Sequence, residues 1–266
     1  MALVRLPRPR LDLDEEAVDS DVPAAVVCLT CGRGDCPGCH EERTGASGVI
    51  AIVPWERPQL AWPSRFFATV QATTLGAEGF FRALPDGSVS PALRFAVLAE
   101  IFAVGSTAAV VAPLTVLAIP GLFLRFLSND TTREAVALAT LVGIVGFTTL
   151  LVVAHALHGL SLGRTASRSR ALRLGLYGCG WDFGSSPAAL VTAGVSMGAR
   201  GTTSLVLSSV TAPSRAIDAA LSGVFKIDGP AAQAAKRRAM LIAMSVSVPA
   251  VAVILALIAA TALFAR

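Results

Sequence analysis

The stretch from Leu93 to Ile119 decides the fold, and it reads LRFAVLAEIFAVGSTAAVVAPLTVLAI. After Arg94 its only charged residue is Glu100, and a helix of these 27 residues would be about 40 Å long. That length exceeds the roughly 30 Å hydrocarbon core of a bilayer, so the stretch predicts a tilted membrane span. We expect one proline, Pro113, to kink this helix and the next proline to end it.

Four further stretches extend the prediction to five spans. Residues 135–157 and 240–264 are as apolar as the first span, whereas residues 172–195 and 199–225 are apolar but carry charges. Small residues are dense in these last two stretches, and small residues let membrane helices approach closely. We therefore predict two further spans there, shielded from lipid by the first three. The alternative is a single span over about 187–210, flanked by interfacial segments.

The composition supports a membrane protein. Hydrophobic residues make up 54% of the chain, charged residues 15%, and the mean hydropathy is +0.66. A soluble domain carries about 25% charged residues. These values exclude a disordered chain, a basic nucleic-acid-binding domain and an ordinary cytosolic enzyme. They favour an all-α membrane helix bundle over residues 91–266.

The charge distribution predicts the orientation. Residues 1–91 hold 8 basic and 12 acidic residues, and no apolar run in residues 1–20 resembles a signal peptide. With five spans, two basic loops (159–171 and 226–239) lie on the side of the N-terminus, which the positive-inside rule places in the cytosol. Only two of the 22 basic residues are lysines, a bias typical of GC-rich bacterial coding. We therefore expect a bacterial inner-membrane protein with a cytoplasmic N-terminus.

A cluster of four cysteines is the sharpest chemical pattern in the chain. Cys28, Cys31, Cys36 and Cys39 follow the spacing C-x2-C-x4-C-x2-C, and His40 is a substitute for the last ligand. Each C-x2-C pair can direct two thiolates at one ion, and four sulfurs close a tetrahedral zinc site. The pattern predicts structural Zn2+ bound by residues 26–43. An iron–sulfur cluster and redox-active or unliganded thiols are the alternatives.

The segments around this cluster have different compositions. Residues 1–25 are rich in proline, arginine and acidic residues, which is typical of a disordered tail, and residues 44–63 have the prolines of a linker. Residues 64–90 repeat phenylalanines at helical spacing, which predicts an amphipathic helix in the membrane interface with Arg65 and Arg82 at the headgroups. The alternative is a helix packed on a folded domain.

Several short motifs resemble those of the Yip1 domain family of polytopic membrane proteins, especially its bacterial members. They are Pro54-Trp55-Glu56-Arg57, Phe80-Phe81-Arg82-Ala83-Leu84-Pro85, His155-Ala156-Leu157-His158-Gly159 and Arg173-Leu174-Gly175-Leu176-Tyr177, over about residues 60–266. Ser161-Leu162-Gly163 departs from the paired glycines of many members. The resemblance implies an α-helical bundle of five spans and a role as a membrane adaptor or organiser.

Ionisable residues inside predicted spans are candidates for function. Glu100 lies in the first span, Asp182 in the third, and Arg215 with Asp218 in the fourth. Arg215 and Asp218 have the spacing of an ion pair on one helix, and Asp182 has an arginine within reach in the fourth span. Structural pairing and an ion or proton path are the two interpretations. Cys179 is interpreted as a small core residue.

Two histidines, His155 and His158, lie three residues apart at the end of the second predicted span. A metal site and capping at the interface are the alternative interpretations.

Two functions follow from these patterns. The first is a non-catalytic membrane adaptor whose zinc-binding cytosolic head recruits a protein partner, with the helix bundle packed in lipid or as a homo-oligomer. The second is an ion- or proton-coupled transporter, or a channel-like bundle, that uses the intramembrane charges. We expect no enzymatic activity, because no credible set of catalytic residues is present, and no nucleic-acid partner.

Overall fold

The computed structural model describes residues 53–57, 61–163 and 167–264, with the backbone alone at 122 and 257–264. The described part is helical and contains no strand. After a short 3-10 helix, Pro54–Glu56, the α-helices are α1 (Trp62–Thr74), α2 (Ala77–Arg82), α3 (Val89–Ala118), α4 (Pro120–Ser128), α5 (Asp130–Leu162), α6 (Arg168–Gly184), α7 (Pro187–Ala220) and α8 (Gly229–Phe264). The all-α fold predicted from the sequence is confirmed.

Three of the described helices are long and apolar enough to cross a membrane. They are α3, α5 and the portion Gly229–Ala256 of α8. Large apolar side chains lie exposed on all three, as expected for surfaces that face lipid. α3 ends at Ala118, just before the predicted breaker Pro120. The three clear spans of the sequence prediction therefore match three apolar helices.

α6 occupies the centre of the bundle. It packs against α1, α3, α5 and α7, and almost every residue from Ala171 to Gly184 is buried. Glycines permit the approach to α5, because a methyl group at Gly175 would collide with the carbonyl oxygen of His155. A methyl group at Gly159 would likewise collide with the carbonyl oxygen of Ala171. This central position agrees with the predicted shielding of the third span.

The third predicted span, 172–195, is not one continuous helix. α6 ends at Gly184, and α7 begins at Pro187 after the two residues Ser185 and Ser186. The Ser186 hydroxyl accepts a hydrogen bond from the Ala189 backbone N–H and caps the new helix. Proline at the first helical position has no N–H to leave unsatisfied, so the Ser-Pro pair explains why a helix starts here.

α7 reverses direction at Gly198. This glycine has φ of 68° and ψ of −175°, a conformation that glycine alone adopts without strain. Residues eight apart in a straight helix are separated by about 12 Å. A methyl group on Gly194 would nevertheless lie only 3.8 Å from Thr202 Oγ1, so the two halves of α7 form a hairpin. The reversal lies between 195 and 199, where the sequence predicts the boundary between its third and fourth spans.

The segment 64–90 differs from the predicted interfacial helix. It forms two short helices, α1 and α2, rather than one, and they pack on α6 and α7. Phe66, Phe80 and Phe81 are buried in the protein core against aromatic rings of α6 instead of being inserted into lipid. The spacing of the phenylalanines correctly predicted helical structure, but the apolar face that they form packs against protein rather than lipid.

The end of the predicted linker, residues 53–57, is anchored to the bundle. Val53 is fully buried, and the indole N–H of Trp55 donates to the Pro91 carbonyl at 2.8 Å. The same ring packs against Phe66 and Phe95. The proline-rich stretch that was predicted to be a linker therefore contains a turn that packs against the bundle.

A buried ion pair joins this turn to α6. Arg173 Nη1 lies 2.8 Å from Glu56 Oε1, and Tyr177 donates its hydroxyl proton to the same carboxylate at 2.5 Å. The Arg173 guanidinium also donates to the Ser88 carbonyl at 2.8 Å. We call Glu56, Arg173 and Tyr177 the latch. It joins two of the short motifs in the sequence, which lie more than 100 residues apart in the chain.

The two basic loops lie at the same end of the bundle. A methyl group on Gly163, which follows α5, would lie 2.9 Å from the Phe225 ring, which precedes the α7–α8 turn. Arg238 near the start of α8 donates to the Ser161 carbonyl at 3.3 Å. Residues 164–166 of the first loop lie outside the described residues. An arrangement with both loops at one end is what the five-span prediction requires.

Candidate functional site

Four ionisable or thiol side chains from three helices converge in the interior. Glu100 comes from α3, His155 from α5, and Cys179 and Asp182 from successive turns of α6. One ligand atom from each of Glu100, His155 and Cys179 lies within 4.8 Å of the others. The His155 Nε2 and Asp182 Oδ2 atoms are 2.8 Å apart, at hydrogen-bonding distance. We call these four residues the cluster.

Glu100 is the unusual member of the cluster. Its relative exposure is 0%, and neither carboxylate oxygen makes a hydrogen bond within the described structure. Its neighbours are the Asp182 carboxylate, the Cys179 thiol and the His155 imidazole, and of these three only the imidazole can become a cation. Burying an unpaired carboxylate is costly, so such a group either carries a proton or neutralises a bound cation.

Two members of the cluster, Glu100 and Asp182, lie at one end of a large cleft. The cleft has a volume of about 1050 Å³ and runs between α3 and α5, with Glu100, Asp182, Ser185 and Ser186 among its lining residues. Along α3 it extends from Glu100 to Ile119, about 28 Å of helix. The cleft therefore approaches the thickness of a hydrocarbon core, and the α6–α7 break opens into it.

The walls of the cleft away from the cluster offer few free polar groups. Most lining residues are Ala, Val, Ile and Leu. The hydroxyls of Thr107, Thr115 and Thr140 donate to backbone carbonyls of their own helices. Arg125 of α4 lies at the opposite end. The polar chemistry of the cleft is thus concentrated where Glu100 and Asp182 meet.

The structure distributes the four predicted intramembrane charges differently from the prediction. Glu100 and Asp182 are brought together, but Asp182 contacts His155 and not an arginine of α7. Asp218 pairs with Lys236 of α8 rather than with Arg215. Arg215 is turned inward and donates to the Thr74 carbonyl at 3.2 Å, where it caps the end of α1. The predicted ion pair within α7 is therefore wrong.

The remaining predicted metal ligands fall into two groups. Cys28, Cys31, Cys36, Cys39 and His40 fall within residues 1–50, which lie outside the described residues. His158, one turn beyond His155, is partly buried, and its Nε2 atom has no hydrogen-bond partner in the described structure. The two histidines thus have separate environments, and one of them belongs to the cluster.

Sequence reasoning did not assign His155 and Cys179 to one site with Glu100. The signal that could have found Cys179 is its spacing to Asp182, since residues three apart lie on one helix face. The signal for His155 is its place near the end of a span that is otherwise free of ionisable residues. No periodicity in the sequence reports which faces of α3, α5 and α6 meet.

The chain matches no protein-family model, no curated protein and no solved structure.

Proposed function

We propose that this chain is an integral membrane transporter in which the cluster binds the transported or coupling cation. The observation that carries the proposal is the break between α6 and α7 beside Glu100 and Asp182, at the end of the cleft. Helices interrupted inside the bilayer recur at transporter ion sites, because their unwound ends supply backbone groups that can contact an ion. Intramembrane carboxylates that face a cavity mark ion and proton pathways.

The form of the cleft supports a carrier rather than a channel. A water-filled channel needs polar groups along its whole length, whereas here apolar walls separate the cluster from Arg125. A cleft with one polar end is the form expected of a carrier that has a single binding site. In a carrier, movement of the surrounding helices opens that site to one side of the membrane at a time. The hairpin of α7, with its hinge at Gly198, gives the bundle an element that can move.

The five-span topology is part of this proposal. α3, α5 and α8 are three of the crossings, α6 with the first half of α7 is the interrupted third crossing, and the second half of α7 is the fourth. The position of both basic loops at one end supports an odd number of crossings, with the N-terminus cytoplasmic in a bacterial inner membrane. Reporters at Gly163 and Gly229 should be labelled from the same side, and labelling from opposite sides would overturn this topology.

Flux measured in proteoliposomes tests the transport proposal. A potassium diffusion potential drives cations inward, and internal dyes report the entry of H+ or Zn2+. We expect entry above that of protein-free vesicles and a loss of at least about tenfold in Glu100→Gln, since a neutral amide cannot balance a cation. The matched control is Asp218→Asn, which removes an exposed carboxylate that is paired with Lys236. The proposal is contradicted if neither H+ nor Zn2+ enters the vesicles above the level of the protein-free control.

A second candidate function is the adaptor predicted from the N-terminal cysteines. The spacing of Cys28, Cys31, Cys36 and Cys39 supports a structural zinc site in a cytosolic head, and the resemblance to the Yip1 domain family favours a partner-binding role. This function is compatible with transport, since the head and the bundle are separate stretches of the chain.

Elemental analysis and affinity capture on the full chain test the head. We expect Cys31→Ser to lose one equivalent of zinc without changing the unfolding temperature of the bundle. A partner retained by the full chain should be lost in Cys28→Ser and kept in Glu100→Gln. A zinc content that is unchanged in Cys31→Ser would contradict the zinc-binding head.

A further inference from the structure

We propose that Glu100, His155 and Cys179 form a binding site for a divalent transition metal ion, of the class of Zn2+, in the bundle interior beside the Glu100 end of the cleft. The inference rests on the proposed function in that it names the class of cation for the same cluster. It stands on two separate observations. One is the convergence of three ligand types, and the other is the buried carboxylate with no partner.

The spacing of the three ligand atoms suits a small metal ion. Zn–S, Zn–N and Zn–O bonds of about 2.0 to 2.3 Å place tetrahedral ligand atoms about 3.6 Å apart. The ligand atoms of Glu100, His155 and Cys179 all lie within 4.8 Å of one another, so a bound ion would draw them together by at most about 1.2 Å. Each ligand comes from a different helix, so a bound ion would join α3, α5 and α6.

The donor set selects the class of metal. Sulfur and imidazole nitrogen favour Zn2+ and its neighbours, whereas Mg2+ and Ca2+ prefer oxygen ligands alone. Binding requires the Cys179 thiol to lose its proton. The resulting thiolate and the Glu100 carboxylate supply two negative charges against the two positive charges of the ion, and the Asp182 carboxylate beside His155 adds a third. A cation at this position would give the buried Glu100 carboxylate a partner.

Asp182 acts as a positioning residue. Its carboxylate lies 2.8 Å from His155 Nε2, so this positioning role requires the ion to bind Nδ1. Carboxylates hydrogen-bonded to metal-binding histidines fix the ring orientation, and their removal weakens metal affinity about 10- to 100-fold. We therefore expect Asp182→Asn to weaken binding by that factor, while Cys179→Ser and Glu100→Gln remove it.

The N-terminal cysteines must be excluded from the measurement. The full chain contains five cysteines, so replacing Cys28, Cys31, Cys36 and Cys39 by serine leaves Cys179 as its single thiol. In that full-length background, purified in detergent, Co2+ is the spectroscopic probe and Zn2+ the competitor. A thiolate-to-cobalt charge-transfer band can then arise from Cys179 alone.

We expect one equivalent of Co2+ to produce this band and one equivalent of Zn2+ to remove it. Cys179→Ser and Glu100→Gln should abolish the band, and His158→Ala is the matched control because it removes a histidine one turn from the cluster. Folding of each variant is checked by the retention of its helical circular dichroism.

The outcomes separate this inference from the transport proposal. No band in the folded background protein, or an equal band after Glu100→Gln, overturns the metal site. A band without flux supports the metal site and contradicts transport. Proton flux without a band supports transport and overturns the metal site.

Discussion

The latch and the cluster both bury a carboxylate against α6, but they satisfy it in opposite ways. In the latch, the Glu56 carboxylate pairs with the Arg173 guanidinium and accepts a hydrogen bond from the Tyr177 hydroxyl. In the cluster, Glu100 lies beside a second carboxylate and a thiol, and its oxygens have no hydrogen-bond partner in the described structure. Removing one partner of a satisfied buried pair destabilises a fold, whereas an unsatisfied buried charge itself costs free energy. The difference separates the part of α6 that pairs a carboxylate from the part that we propose binds an ion.

The largest effect should come from breaking the latch. Arg173→Met removes the guanidinium, which is 2% exposed, and leaves Glu56 without its counterion. Removing one partner of a buried pair costs about 3 to 5 kcal/mol, so the unfolding temperature in detergent should fall strongly. Arg168→Met is the control, because Arg168 lies exposed at the start of the same helix. Equal unfolding temperatures in the two variants would show that the latch does not stabilise the fold.

A smaller effect should come from separating α5 and α6 beneath the cluster. In Gly175→Ala the new methyl group meets the His155 carbonyl, and overpacking of this kind costs about 1 to 3 kcal/mol. Gly105→Ala in α3 meets no atom within 4 Å and should gain up to about 1 kcal/mol from helix propensity. The two unfolding temperatures should move in opposite directions. A loss of stability in Gly105→Ala would contradict the packing described for α3.

The architecture was predictable where the pattern is strong, and the reasons are physical. The run after Leu93 is apolar on all sides, so length and hydropathy alone identify α3. The pair Ser186-Pro187 starts a helix within a predicted span, and only capping chemistry could have revealed it. The aromatic spacing in 64–90 identifies a helical face but not whether protein or lipid covers it.

The candidate site was predictable in part. Glu100 and Asp182 are conspicuous because charge is rare in apolar helices. Their meeting with His155 and Cys179 depends on the rotation of three helices about their axes, which glycine contacts such as Gly175 against α5 determine. Those contacts join residues far apart in the chain, so no local pattern reports them.

The smallest effect concerns a surface contact outside the spans. The Asp86 carboxylate accepts hydrogen bonds from Ser167 and Ser169, and these lower its pKa below the ordinary value for aspartate. Its stabilisation is complete above the ordinary pKa and is lost as the pH falls through the lower folded value. Unfolding temperatures of the wild type and Asp86→Asn should therefore differ at neutral pH and converge in acid. A difference that persists unchanged in acid would show that this carboxylate does not act through its charge.

One substitution made in both regions tests the central claim most directly. Glu56→Gln and Glu100→Gln each replace a carboxylate by an amide of the same shape, and their unfolding temperatures are measured in metal-free detergent. We expect Glu56→Gln to lose about 3 to 5 kcal/mol, because it leaves the Arg173 guanidinium, which is 2% exposed, without its counterion. Glu100→Gln should match or exceed the wild type, because the amide keeps the shape of the side chain and cannot carry an uncompensated buried charge. Equal losses in both variants, or a larger loss in Glu100→Gln, would contradict the distinction between latch and cluster.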